Sequence, residues 1–203
     1  MPIERTDITG VILAGGLSRR LHGTPKALIE LGGVPLIRQV FDTFKPQVGT
    51  VVINANDRLE RFQEFQVPVL RDAFPGYRGP LAGIATVMAV ATTPYLAVVP
   101  CDSPFLAHDL VSRLSEALVN QGGRIAVASV AGRWQPVFAV LSCELRPALE
   151  RHLTAGGSKI DSWYATHDPC VVDFSDEIDS FLNINTMDDL DHAARQLADR
   201  TQP

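Results

Sequence analysis

The apolar run Ile8 to Leu13 leads straight into Ala14-Gly15-Gly16-Leu17-Ser18-Arg19-Arg20, and Lys26 closes the stretch six residues later. The run is rich in β-branched residues and too short for a helix, which predicts a strand of the buried, parallel type. Where that strand ends, two adjacent glycines let the backbone take positive φ and turn successive N–H groups toward one anion. Arg19, Arg20 and Lys26 add charge around that nest, enough to neutralise a polyphosphate and to stabilise the charge that develops at an attacked phosphorus. The competing reading is a glycine-rich turn with a solvated basic face. Two familiar phosphate loops are excluded. A P-loop ends in Gly-Lys-Ser/Thr, whereas Lys26 lies between Pro25 and Ala27. The dinucleotide fingerprint needs spaced glycines, and Arg19 stands where its third would be.

Downstream, hydrophobic runs alternate with amphipathic ones, the pattern of a mostly parallel sheet covered by helices. Strands are expected at 8–14, 50–55, 67–71, 95–99, 124–130 and 135–141. Helices are expected at 35–46, 59–65, 81–91, 106–121, 143–154 and 187–198. Pro35 and Pro104 suit helix starts, Gly122-Gly123 marks a helix stop, and Thr186 to Asp189 reads as a variant capping box. The expected fold class is α/β, a single three-layer Rossmann-like domain over residues 1–203 with a mostly parallel central sheet.

Ligands of open α/β sheets bind beyond the carboxyl ends of the strands, so the polar residues just after each strand are the candidates. They are the glycine loop, Asn54-Ala55-Asn56, Asp72, and Pro100-Cys101-Asp102-Ser103-Pro104. Asp102, held between two prolines, suits Mg²⁺, a hard cation often shared between one or two carboxylates and substrate phosphates. As the alternative, Asp102 or Ser103 caps a helix starting near Pro104. A carboxylate at Asp72 can accept from the N1 and N2 edge of a guanine, or be a solvated turn residue. Asn54 can contact ribose or base, or form an ordinary strand-end turn. Gly79, Leu81 and Gly83 would let a helix N-terminus approach a nucleotide closely, or only pack that helix on the sheet.

The formal net charge of -5 argues against a nucleic-acid surface. Three cysteines without a C-x-x-C pair suggest neither a disulfide framework nor a zinc site, and five histidines show no ligand spacing. No signal peptide is recognisable at the N-terminus, and no run approaches the roughly 18 apolar residues of a membrane span. A cytoplasmic protein with no membrane and no nucleic-acid partner is expected.

Taken in order, Ile12-Leu13-Ala14-Gly15-Gly16-x-Ser18-x-Arg20, Lys26, Asn54-Ala55-Asn56, Asp72, Gly79-Pro80-Leu81-Ala82-Gly83, Pro100-Cys101-Asp102-Ser103-Pro104, Gln135-Pro136 and Asn183-Ile184-Asn185-Thr186 resemble the molybdenum cofactor guanylyltransferases. The resemblance runs over nearly the whole chain. It implies transfer of GMP from GTP to molybdopterin with release of pyrophosphate and Mg²⁺ as cofactor. By it, Leu13, Ala14, Gly15 and Gly16 hold the nucleotide, Lys26 its phosphates, and Asn54, Asp72 and Gly83 are further nucleotide contacts. Asp102 serves as nucleotide contact and metal ligand, and Arg20, Lys26 and Asp102 form the catalytic set. Asn183 and Asn185 belong to a pterin-side element. Residues to about 105 then form the GTP and magnesium side, and residues 106–203 the acceptor side. Other molybdenum cofactor biosynthesis proteins and target molybdoenzymes are the implied partners. Pro25 departs from members that carry an acid before the lysine. A molybdopterin cytidylyltransferase, a sugar-1-phosphate nucleotidyltransferase and a non-catalytic cofactor carrier are the alternatives. Gly15-Gly16 favours guanine over cytosine, and the chain leaves no room for a sugar lid.

Overall fold

A computed structural model describes residues 2–15, 25–74 and 79–201 of the chain. The run at the N-terminus is strand β1 (Ile8–Leu13), followed by a small hairpin of β2 (Glu30–Leu31) and β3 (Val34–Pro35), then helix α1 (Leu36–Phe44). Strands β4 (Thr50–Asn54) and β5 (Val69–Leu70) precede α2 (Pro80–Met88), β6 (Tyr95–Pro100) and α3 (Leu110–Gln121). The second half continues with β7 (Ile125–Val130), β8 (Arg133–Ser142), α4 (Arg146–Thr154), α5 (Ile160–Ala165), β9 (Cys170–Asp173) and α6 (Met187–Thr201).

Seven strands form one sheet in the order β5-β4-β1-β6-β8-β7-β9. β1 pairs in parallel with β4 and β6, β4 with β5, and β7 with β9, while β8 runs antiparallel to both β6 and β7. The expected α/β architecture with a mostly parallel sheet is therefore present. Side-chain alternation along the strands divides the core in two. Ile8 and Ile12 face α1 and α3, where they meet Val40, Phe44 and Leu114. Val11, Val52 and Val98 face α2, α4 and α5, against Ile84, Leu149 and Trp163. Gly10 is required at the first face, because a Cβ there would lie 2.6 Å from the Phe44 ring. α6 packs through Ala193 against Leu31 and Ile184 in a third, smaller cluster. Among the described residues no helix is long and apolar enough to cross a membrane.

Several boundaries differ from expectation. The segment expected as a helix at 59–65 is a 3₁₀ helix, bounded by left-handed Arg58 and Gln66. α3 starts at Leu110 rather than near Pro104, because Phe105, Leu106 and Ala107 are all buried and the chain there forms turns across the sheet edge instead of exposing one helical face. Gln47 completes that start: its carboxamide donates to Ala107 O (2.9 Å) and accepts from the Val111 N–H (3.0 Å), one of the helix's orphan donors. The strands expected at 124–130 and 135–141 form one hairpin, turned at Ala131 (φ 48°) and Gly132 (φ 74°). Positive φ at both turn residues matches the twist of a tight hairpin.

Candidate active site

The carboxyl ends of β1, β4, β5 and β6 lie side by side at one edge of the sheet, which collects the polar residues that follow them. Ala14 N–H donates to Asn54 O (2.8 Å) and Cys101 N–H to Leu13 O (3.1 Å), so the glycine loop leaves between the ends of β4 and β6. A cavity of about 330 Å³ opens here, lined by Leu13, Ala14, Gly15, Lys26, Asp102, Asn183 and Asn185 together with Gly79, Pro80, Pro100, Cys101 and Val137. The first seven are candidates named from the sequence. Gly79, at φ 66°, is the N-cap of α2 and Pro80 its first turn, so the positive end of a helix borders the cavity. Gly16 and Arg20, with Leu17, Ser18, Arg19 and His22, lie outside the described residues.

At the centre, Lys26 Nζ donates to Asp102 Oδ2 at 2.8 Å, with the two side chains only 12% and 15% exposed. The same ammonium also donates to Asn185 Oδ1. Asp102 is therefore no helix cap; the N-cap position of α3 is Asp109. The segment bearing Asn185 is fastened at both ends. Ile184 N–H donates to Asp102 O (3.0 Å), and Ser103 Oγ donates to Asn183 Oδ1 (2.6 Å). On the other side, Asp189 Oδ2 accepts from the N–H groups of Asn185 (2.9 Å) and Thr186 (2.8 Å), and Thr186 Oγ1 accepts from Asp189 N–H (3.1 Å). This is the reciprocal capping box expected at the start of α6. Those hydrogen bonds hold the Asp189 carboxyl below the usual carboxylate range.

Asn54, Asp72 and Gly83 form a second group beside the cavity and do not line it. Asn54 is 1% exposed; its Nδ2 donates to Leu70 O (3.2 Å) and to Asp72 Oδ1 (2.9 Å). Gly83 leaves room for it, since a Cβ at that position would fall 2.2 Å from Asn54 Oδ1. Asn56, noted in the sequence only as part of a motif, joins Asp72 through its side chain (2.8 Å) and lies against Gly15.

Val137 escaped the sequence reading, and Cys101 was noted there only as part of a motif. Val137 reaches the cavity because the β7–β8 register shifts between Val127 and Ala128, leaving Pro136, Val137 and Phe138 without β7 partners. Such irregularities re-aim side chains beside active sites, and Pro136, which has no N–H to give a ladder, was the available signal. Cys101 lines the cavity but is no thiolate: burial first, then the neighbouring Asp102 charge, push its thiol far up, and Lys26 offsets only part of this.

The chemistry supported by this donor set is charge neutralisation at phosphate oxygens. Among the described residues no three His, Cys, Asp or Glu side chains gather to cage a metal. Asp102, a single carboxylate with one oxygen directed at a lysine, could instead supply part of a ligand set of the kind Mg²⁺ shares with water and substrate phosphates.

A model of the MobA-like NTP transferase domain matches residues 10–170. The molybdenum cofactor guanylyltransferase of Shewanella loihica is 47% identical over 179 residues, covering 88% of this chain and 91% of that protein. Its counterpart in Shewanella woodyi is 43% identical over 191 residues, covering 94% and 97%. The crystal structure of a molybdopterin-guanine dinucleotide biosynthesis protein A from Archaeoglobus fulgidus superposes with a TM-score of 0.80 over 94% of this chain and 99% of that one; at 24% identity the likeness is one of fold. The chain belongs to the molybdenum cofactor guanylyltransferase family, whose catalytic body is a MobA-like NTP transferase domain.

Proposed function

We infer that this protein transfers GMP from GTP to molybdopterin, forming molybdopterin guanine dinucleotide and pyrophosphate. The observation that carries the reading is the meeting of Lys26 and Asp102 over the carboxyl ends of β1 and β6, in a cavity that the backbone of Leu13 to Gly15 enters. In the reaction the terminal phosphate of the acceptor attacks the α-phosphorus of GTP. A new phosphorus–oxygen bond forms, the bond to the bridging oxygen breaks, and its electron pair leaves with pyrophosphate. The nucleophile is already ionised at neutral pH, so the site needs no general base, in keeping with the absence of a histidine from the cavity lining among the described residues.

Phosphoryl-type transfer asks a protein mainly for alignment and charge. Lys26 supplies the cation, and Leu13, Ala14, Gly15 and Gly16 supply backbone close to the phosphates, with Arg20 completing the catalytic set. Asp102 would hold magnesium, which when bound neutralises phosphate charge and helps align the reacting groups. Asp72 accepts from the guanine edge, with Asn54 and Gly83 acting behind it. Asn183 and Asn185 face the acceptor, so residues to about 105 serve the nucleotide and residues 106–203 the pterin. The partners are GTP and molybdopterin, followed by the proteins that make and receive the cofactor, in the cytoplasm.

The test is chemical identification of the product. With magnesium, molybdopterin and GTP labelled at the α-phosphate, label should enter a pterin dinucleotide in equimolar amount to pyrophosphate. Label that stays in GTP, or appears as free GMP regardless of acceptor, would contradict the assignment.

A further inference from the structure

Asp72 is restrained at more points than a turn aspartate needs. Its Oδ1 accepts from Asn54 Nδ2 (2.9 Å) and its Oδ2 from Asn56 Nδ2 (2.8 Å). Its own N–H donates to Asn56 Oδ1 (2.9 Å), and the next N–H, that of Ala73, donates to Thr86 Oγ1 (2.9 Å) on α2. The reciprocal pair also fixes which way the Asn56 carboxamide points: the oxygen must meet a backbone donor, so the nitrogen must meet the carboxylate. Asn56 is wedged as well, because a Cβ on Gly15 would come within 3.0 Å of its Nδ2. One side chain thus joins the end of β4 to the carboxylate after β5 and lies beside Gly15.

A carboxylate has about four acceptor positions, two on each oxygen. Among the described residues, one on each oxygen is taken by an asparagine, which leaves one on each oxygen, held in a fixed plane. That is the arrangement needed by two parallel N–H groups of one base edge. We propose that Asn56 is a positioning residue for guanine selection: it clamps Asp72 so that the two remaining acceptor sites meet the N1 and N2 donors of the base. The proposal rests on the reading of Asp72 as the guanine acceptor, and its test separates the two.

The measurement is equilibrium binding of GTP and of ITP, which lacks the N2 amino group, to wild type, Asn56→Ala, Asn56→Asp and Asp72→Asn, alongside thermal melts. Asn56→Asp keeps size and the acceptor for Asp72 N–H but replaces the clamping donor with a second carboxylate, so it tests the clamp even if the alanine variant fails to fold. Wild type should prefer GTP, and both Asn56 variants should lose that preference by about tenfold, the worth of one charge-assisted hydrogen bond. A purely structural role would weaken both nucleotides equally and leave the ratio intact. If Asp72→Asn loses the preference while folded Asn56 variants keep it, the positioning role is overturned. If Asp72→Asn itself keeps the preference, guanine is read elsewhere and the proposal falls with that reading.

Discussion

Lys26 divides its ammonium between a carboxylate and a carboxamide, and the two partners are not equivalent. Asp102 offers a full charge, and Asn185 a neutral acceptor; in the proposed reaction GTP and its metal would compete for the first while the second keeps the lysine tethered. Removing either charged partner should therefore damage the reaction in a different way. Asp102→Ala is expected to abolish magnesium-dependent turnover, with the melting curve little changed. Lys26→Ala should weaken GTP binding and lower kcat by about 10²- to 10³-fold, the usual worth of one charge-stabilising contact in a transition state. Steady-state pyrophosphate release, read with a thermal melt of each variant, checks both. Wild-type rates in the first variant would remove the metal assignment, and unchanged kinetics in the second would make Lys26 a surface lysine.

Among elements, the capping box on α6 does work at a distance. Asp189 joins the helix to the Asn183-Ile184-Asn185 strip, and that strip is hydrogen-bonded to Asp102 and Ser103. Asp189→Asn should lower stability by about 1 kcal/mol, typical of losing a cap. Because the Asp189 carboxyl is lowered in the folded state, its contribution is fully present above about pH 4, the usual unfolded value, and fades as pH falls through the lowered one. Urea melts of wild type and Asp189→Asn should differ at pH 7 and draw together as the pH is taken progressively below about 4; a gap that stays constant over that range would refute the cap. This box was legible in the sequence because Thr186 and Asp189 sit at the required spacing just before an amphipathic run. Other elements were not legible, for physical reasons. α5 spans too few residues to reveal a helical period, and β9 is a short edge strand defined by its pairing with β7 far back in the chain. β2 and β3, on either side of the positive-φ pair Gly32 and Gly33, are two residues each, too short to show an alternating pattern. At 101–109 the apolar residues mimicked a helix start, when burial against the sheet edge and Gln47 decide where the helix begins.

For the molecule as a whole, strand direction determines where chemistry can occur. β5, β4, β1 and β6 all run the same way, so their carboxyl ends share one edge, and residues separated by more than a hundred positions meet there, as Lys26 does with Asn185. That edge could be assigned from the order of strands and loops alone. What the sequence could not show was the grouping within it: a Lys26–Asp102–Asn185 cluster in the cavity, and an Asn54–Asn56–Asp72 cluster beside it. If, as proposed, the first serves phosphate transfer and the second the base, activity and nucleotide choice should be separable by mutation. Acceptor-dependent guanylyl transfer at this edge is tested by pyrophosphate release from GTP, CTP, ATP and UTP in turn, with magnesium, in the presence and absence of molybdopterin. Release is expected from GTP alone and only with the acceptor; release favouring CTP, or GTP binding with no turnover when molybdopterin is present, would refute guanylyl transfer.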